Sequence, residues 1–300
     1  VRVWSNILAA AVASLLVLPV ACTRPVDLVA VPTDGGASTS KDAADTGITH
    51  TPTTEAGPTP TSACPPGTTL LLLTLKGGLL MFDPASDAVK YLGAIDCPTY
   101  AAGVPISLAV GDDARVYVLY DSGTIIQFPA GTVNATDCKP WGKAPALPTG
   151  QNGAGLAISG TKDAAFFLGV DLAIYSASAL VDFTVWTQTG KLDPADHVRA
   201  LLGTGDGRLF GVLGPSATSS YRVTSIDPAT GVTGATILVP SDVGSDQPAG
   251  FALFSDSLLV FTEKSLTRYN FATGVLSSPE IIGSYGPIVA AASPPCASTL

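Results

Sequence analysis

The chain has 300 residues, of which 46% are hydrophobic and only 13% charged, about half the usual charged share, and its formal net charge is −9. An acidic chain with no basic stripe cannot displace counterions from phosphates, so nucleic acid is excluded as a partner. The abundance of Gly (31) and Pro (24) points to many turns and short strands rather than amphipathic helices.

In chain order, the first element is an export signal over 1–21. Arg2 precedes an apolar run, Ile7–Val20, that is shorter than the roughly 20 residues a spanning helix needs. Leu18-Pro19-Val20-Ala21-Cys22 resembles the lipobox of bacterial lipoproteins, although Pro19 stands where that family favours Leu. The resemblance implies cleavage before Cys22 and its lipidation, hence a membrane anchor on the exported side of a bacterial cell envelope. Residues 22–63 then read as a tether. Thr33–Ser62 is mostly Thr, Ser, Pro, Gly, Ala and Asp, and such a segment buries too little to offset its ordering entropy.

From residue 64 onward the chain reads as strands, and one local pattern recurs four times. An apolar run enters a turn that ends in Asp, and a second apolar run follows. The turn residues are Asp113, Asp163, Asp206 and Asp256, spaced 50, 43 and 50 residues apart. A period near 45 residues with several short strands per period is the signature of a β-propeller blade. Four strand sets follow, beginning at Ile106, Gly155, Arg199 and Gly250. Within them Thr132–Thr136 is expected as the outer strand of blade 2, Phe183–Thr187 as that of blade 3 and Gly274–Ile282 as that of blade 5. A second turn repeats as F-D-P-A-S-D (82–87), I-D-P-A-T-G (226–231) and N-F-A-T-G (270–274), the chemistry of a type I turn. Blade 1 offers only Thr69–Leu75, Leu79–Phe82 and Val89–Ile95. Its missing inner strand is Ile288–Ala292, so the expected fold is an all-β, five-bladed propeller over 64–300, closed by a C-terminal strand in blade 1.

In an oxidising compartment the four cysteines beyond Cys22 can pair. Cys64 and Cys296 flank the place where blade 1 lacks its hairpin, which favours a bond between them. Cys97 and Cys138 each follow an Asp that reads as lying just past an outer strand, on one face of adjacent blades, so they form the second candidate pair. Four cysteines allow three connectivities, and the sequence leaves the others open.

Repeated strands with D-P-A-T-G turns, behind a lipobox and a Thr/Pro stalk, resemble the secreted propeller lipoproteins of high-GC bacteria, with YVTN- or WD-repeat-like blades. That resemblance covers 64–296 and rests on structural turns, so it implies a fold and not an activity. The repeated aspartates read as turn formers. The other reading, Ca²⁺ ligands, lacks any D-x-D-x-D spacing. The loops of the opposite face hold Asp121, Asp171, Glu263 and Lys264 beside Trp141, Trp186 and Tyr285, the mixture a binding mouth needs. Trp141 lies in the long segment Pro129–Gly150, where covering a blade edge is its alternative role. His197 is the domain's single histidine and no G-x-S-x-G accompanies it, so neither a His-rich metal centre nor a serine triad is expected. The resulting expectation is a monomeric, non-catalytic binding or scaffold module for a protein, glycan or cell-wall partner, with no cofactor or metal. The alternative is a lactonase-like hydrolase with acidic residues converging at the channel mouth.

Overall fold

Short apolar runs punctuated by Gly, Pro and Asp fold into 21 strands and, among the described residues, no helix. The computed structural model describes residues 67–97, 103–111, 113–131, 133, 137–145, 147, 155–159, 164–169, 172–178, 185–193, 198–214, 220–240 and 249–294. All of these fall in one compact unit, Ala56–Leu300. The expected leader and stalk, Cys22, Cys64, Cys296, Asp163, Asp171 and His197 lie outside the described residues.

Five antiparallel sheets form the blades of a β-propeller. Blade 1 holds β1 (Leu70–Thr74), β2 (Gly78–Asp83) and β3 (Ala88–Ala94). Blade 2 is β4 (Pro105–Val110), β5 (Arg115–Tyr120), β6 (Thr124–Pro129) and β7 (Lys139–Lys143). Blade 3 is β8 (Leu156–Ser159), β9 (Ala164–Leu168), β10 (Ala173–Ser178) and β11 (Thr187–Lys191). Blade 4 is β12 (Val198–Gly203), β13 (Leu209–Leu213), β14 (Ser220–Ile226) and β15 (Thr233–Pro240). Blade 5 is β16 (Gly250–Phe254), β17 (Ser257–Phe261), β18 (Ser265–Asn270), β19 (Val275–Leu276) and β20 (Glu280–Ile281). The last strand, β21 (Ile288–Ala292), returns to blade 1 and pairs antiparallel with β1, Leu71 opposite Ala292 and Leu73 opposite Ala290. The ring therefore closes as expected, with β21 supplying the inner strand that blade 1 lacks in its own segment.

Each blade buries both faces, which is why its inner strands are apolar throughout rather than alternating. In blade 1, Leu71, Leu73 and Leu79 point toward blade 2, while Leu70, Leu72, Leu80 and Phe82 point toward blade 5. Phe82 meets Phe261 edge-on at 5.1 Å across that second interface. Crowding at the axis is visible at Gly203, where a Cβ would run into the backbone carbonyl of Ile158 on the neighbouring inner strand.

Three outer strands differ from the sequence expectation. The fourth strand of blade 2 is β7, Lys-Pro-Trp-Gly-Lys, so much of Pro129–Gly150 is not loop. Its Pro140 and Gly142 are poor strand formers, tolerated because this edge faces solvent. In blade 3 the outer strand is β11, displaced toward the C-terminus of Phe183–Thr187. In blade 5, Gly274–Ile282 is not continuous: β19 and β20 are separate pieces with Pro279 between them, a residue that cannot donate to a ladder.

Candidate functional site

Three places can meet a ligand: the central channel, the face carrying the A–B and C–D turns, and the face carrying the B–C loops and the connectors between blades. The channel is lined by Leu108–Val110, Leu156–Ile158, Leu201–Gly203, Ala252, Leu253 and Ala291–Ser293. Its free volume is about 20 Å³, room for roughly one water. None of these residues is acidic, and among the described residues no three His, Cys, Asp or Glu side chains gather as a metal site.

On the turn face the repeated acidic residues are engaged by their own turns. Asp113 accepts the Arg115 amide at 3.1 Å and pairs with its guanidinium at 2.9 Å. Asp206 repeats this with Arg208 at 2.7 Å and also takes the Thr204 hydroxyl. The C–D turns are Asx turns. Asp83 accepts from the Ala85 amide (2.9 Å) and the Ser86 hydroxyl (2.6 Å), and Asp227 from the Ala229 amide (2.9 Å) and the Thr230 hydroxyl (2.7 Å). Asn270 does the same with Thr273. The Ser86 hydroxyl and Ala85 amide hold Asp83 below the ordinary carboxylate range, and Thr230 with Ala229 does so for Asp227. Burial pushes Asp206 up, but Thr204 and Arg208 outweigh it and its pKa is also lowered. These are turn-forming carboxylates. Asp256 contributes through its backbone carbonyl, which accepts the Phe271 amide at 2.8 Å.

The loop face is braced by a repeated backbone bond. At the end of the outer strand an amide reaches the B–C loop of its own blade: Ile95 to Gly77, Ala144 to Gly123, Leu192 to Leu172 and Ile282 to Lys264, all at 2.7–3.0 Å. A second bond ties the incoming connector, with the Leu75 amide donating to the Pro287 carbonyl (2.8 Å) and that of Asp121 to Val104 (2.9 Å). Asp121 closes the second link from both sides, because its Oδ1 also accepts the Val104 amide at 2.9 Å. Beside it, burial pushes the Tyr120 phenol up to about 12, which removes it from acid–base work near neutrality.

Of the residues expected on a binding mouth, Asp121, Glu263, Lys264 and Tyr285 do lie on this face and are exposed. The two tryptophans sit in the blade 2–3 interface. Trp141 stands at a bulge of β7, 6.1 Å from the Tyr117 ring. Trp186 precedes β11, packs 5.7 Å from Phe167 and donates its indole N–H to the Lys143 carbonyl at 3.0 Å. Sequence reasoning missed Leu75 and Val104. Both are apolar and exposed on the same face (42% and 40%), close in character to Tyr285 at 37%. Leu75 stands two residues before Gly77-Gly78, in L-K-G-G (75–78), and closeness to that turn is its one signal in the sequence.

Cys97 and Cys138 form a disulfide, with Cα atoms 6.0 Å apart. Their placement differs from the expected equivalence. Cys97 follows β3, but Cys138 precedes β7, and the bond ties the blade 1–2 connector to the C–D segment of blade 2. That segment also reaches back through the Val133 carbonyl to the Asp96 amide at 3.3 Å.

No protein-family model matches the chain, and no curated protein resembles it in sequence. Solved structures with a similar course of the backbone include a chain of a nidogen/laminin complex (11% identity, TM-score 0.48, 75% of this chain and 98% of that one). Others are a protein of unknown function from Bacteroides caccae (14%, 0.41, 72% and 73%) and the calcium-binding protein regucalcin from Agrobacterium tumefaciens (12%, 0.42, 65% and 64%).

Proposed function

We propose that this protein is a non-catalytic binding module of a bacterial cell envelope, anchored through a lipid on Cys22 and held off the membrane by residues 23–63. Its partner is a protein or glycan of the cell wall. The supporting observation is the arc that crosses blades 5, 1 and 2 on the loop face. There Tyr285, Leu75 and Val104 expose apolar surface beside Lys264, Lys76 and Asp121. Apolar anchors within a charged rim make a recognition surface, and the backbone bonds that brace the loops lower the ordering cost of binding. The apolar, nearly filled channel offers no general acid or base, and this favours binding over hydrolysis. The module works as a monomer without a cofactor.

The test is binding of the purified domain to isolated cell-wall sacculi and to a glycan array. A Leu75→Asp/Tyr285→Ala variant should lose binding at least tenfold with its melting temperature unchanged. Retention of binding by that folded variant removes the arc as the site. Labelling with a radioactive fatty acid tests the anchor separately: Cys22→Ala should abolish incorporation and membrane association together.

A further inference from the structure

The blade 1–2 interface ends on the turn face in an apolar cavity of about 410 Å³, formed by Leu71, Met81, Leu92, Val110 and Ala130, with Thr69 and Pro294 at its edge. The repeat explains why the space is there. The Phe271 amide donates to the Asp256 carbonyl at 2.8 Å, and the Ala130 amide makes the same bond to Ala114 at 2.8 Å. Ala130 thus stands in blade 2 where Phe271 stands in blade 5. Phe271 packs its ring into the blade 4–5 interface, edge-on to Tyr269 at 5.6 Å.

Two further positions are reduced in blade 1. Met81 precedes F-D-P-A (82–85) as Arg268 precedes Y-N-F-A (269–272), and Arg268 fills the 5–1 interface over the Phe82 ring (5.7 Å) while pairing with Asp87. Thr69 stands at the entry to β1 as Arg115 and Arg208 stand at the entries to β5 and β13. Those arginines reach Gln127 (3.0 Å) and the Phe210 ring (5.5 Å). Alanine, methionine and threonine at these three places, with no large residue to compensate among the described residues, leave the interface unfilled at its outer end.

We infer that this cavity is a binding site for an uncharged small molecule carrying one or two fused aromatic rings, which completes the blade 1–2 interface as Phe271 completes blades 4–5. The occupant's chemistry follows from what the repeat itself puts there and from the lining. The cavity continues the buried cluster of Leu71, Val110, Val116 and Phe128, and Thr69 is its one polar side chain. The volume lies in the range of ligand pockets and is more than twice the roughly 150 Å³ that accommodates benzene in an apolar protein cavity. No cation lines it and the chain is acidic, so a carboxylated ring is disfavoured. Met81, an adaptable thioether that suits varied ring shapes, is the chain's single methionine.

That single methionine supplies the assay. In protein labelled at the methionine methyl carbon, one NMR resonance reports the cavity. Titration with 2-naphthol or indole should shift it saturably, 2-naphthoate should bind at least tenfold more weakly, and n-octanol should not compete. Ala130→Phe, built on the geometry of Phe271, should weaken naphthol binding at least tenfold, and Leu92→Trp, entering from the opposite wall, should do the same. A methyl signal unmoved by either ring compound overturns the inference, as does octanol binding as tightly as naphthol. A methyl signal that shifts without ligand when residues 295–300 are removed also overturns it, since the chain would then fill its own cavity.

Discussion

The ring depends on β21, and Ile288 is where that dependence can be measured. Its side chain is 0% exposed and packs with Leu70, Leu72, Phe82 and Phe261 between blades 5 and 1. Truncating a buried Ile to Ala costs about 2–5 kcal/mol, with the upper end applying where the walls cannot collapse. Here the walls are two hydrogen-bonded sheets, so Ile288→Ala belongs in the upper half. For a domain of this size each kcal/mol moves the melting temperature by about 2–4 °C, so a fall of roughly 7–20 °C is expected. The same contact can be probed from the other side. A Cβ on Gly250 would lie 2.8 Å from Ile288 Cγ2 and 2.8 Å from the Ala290 carbonyl carbon. Gly250→Ala alone should cost about 1–3 kcal/mol by overpacking. In the double variant the first clash disappears and the second remains, so the loss should fall short of additivity by about 0.5–1.5 kcal/mol. Urea unfolding followed by tryptophan fluorescence measures all three. Leu238→Ala on β15, where the side chain is 63% exposed, is the control and should stay within about 0.5 kcal/mol of wild type. An Ile288→Ala variant as silent as Leu238→Ala refutes closure through β21, and strict additivity with Gly250→Ala refutes the contact.

Three more outcomes are expected. Reduction of Cys97–Cys138 releases a 41-residue separation, worth at most about 4 kcal/mol by loop entropy, so the urea midpoint should drop with reductant, and a Cys97→Ser/Cys138→Ser variant should show no further drop. The pKa values of Asp83, Asp206 and Asp227 are depressed in the folded chain, so the stability they add is complete above the unfolded value near pH 4 and is lost as pH falls through the lower folded values. Unfolding midpoints should therefore be flat from pH 5 to 7 and fall below pH 4, less steeply in Asp227→Asn. Gly203→Ala drives a Cβ into the Ile158 carbonyl and should destabilise by about 2 kcal/mol or more in thermal melts.

How far the fold could be read in advance followed from burial. Inner strands such as Leu-Leu-Leu-Leu-Thr (70–74) and Ser-Leu-Leu-Val-Phe (257–261) are buried on both faces, so their composition alone declares them. The outer strands Lys-Pro-Trp-Gly-Lys and Thr-Gln-Thr-Gly-Lys are wetted along one edge, carry no apolar period and are held by pairing with β6 and β10. Nothing local identifies them, which is why both were displaced in the sequence reading. The same displacement made Trp141 look like a loop residue. The Cys97–Cys138 pair was foreseeable from the oxidising context, but its geometry depends on how the segment before β7 climbs back toward blade 1. The candidate site was legible only in part. Charged loop residues such as Asp121, Glu263 and Lys264 are visible in sequence, whereas the exposure of Leu75 and Val104 is a property of packing.

The two surfaces singled out both adjoin blade 1, and the seam gives a reason. In a ring of repeats each blade presents its neighbour with nearly the same side chains, so equivalent interfaces become filled in equivalent ways: Arg208 over Phe210, Arg268 over Phe82, Arg115 on Gln127. Blade 1 is assembled from both ends of the domain, so β1 has no hairpin to an inner strand and begins at an open chain. Thr69 there has no turn carboxylate two residues before it, as Arg115 has in Asp113 and Arg208 in Asp206. An arginine at position 69 would lack the partner that orients its counterparts, and its absence leaves that edge of the cavity open. Filling that edge separates the two proposals. Thr69→Phe should fill the cavity and block naphthol, yet leave the opposite face, with Leu75 and Tyr285, free to bind its wall partner. Loss of both activities by a folded Thr69→Phe protein would mean that the two sites are one coupled system rather than independent consequences of the seam.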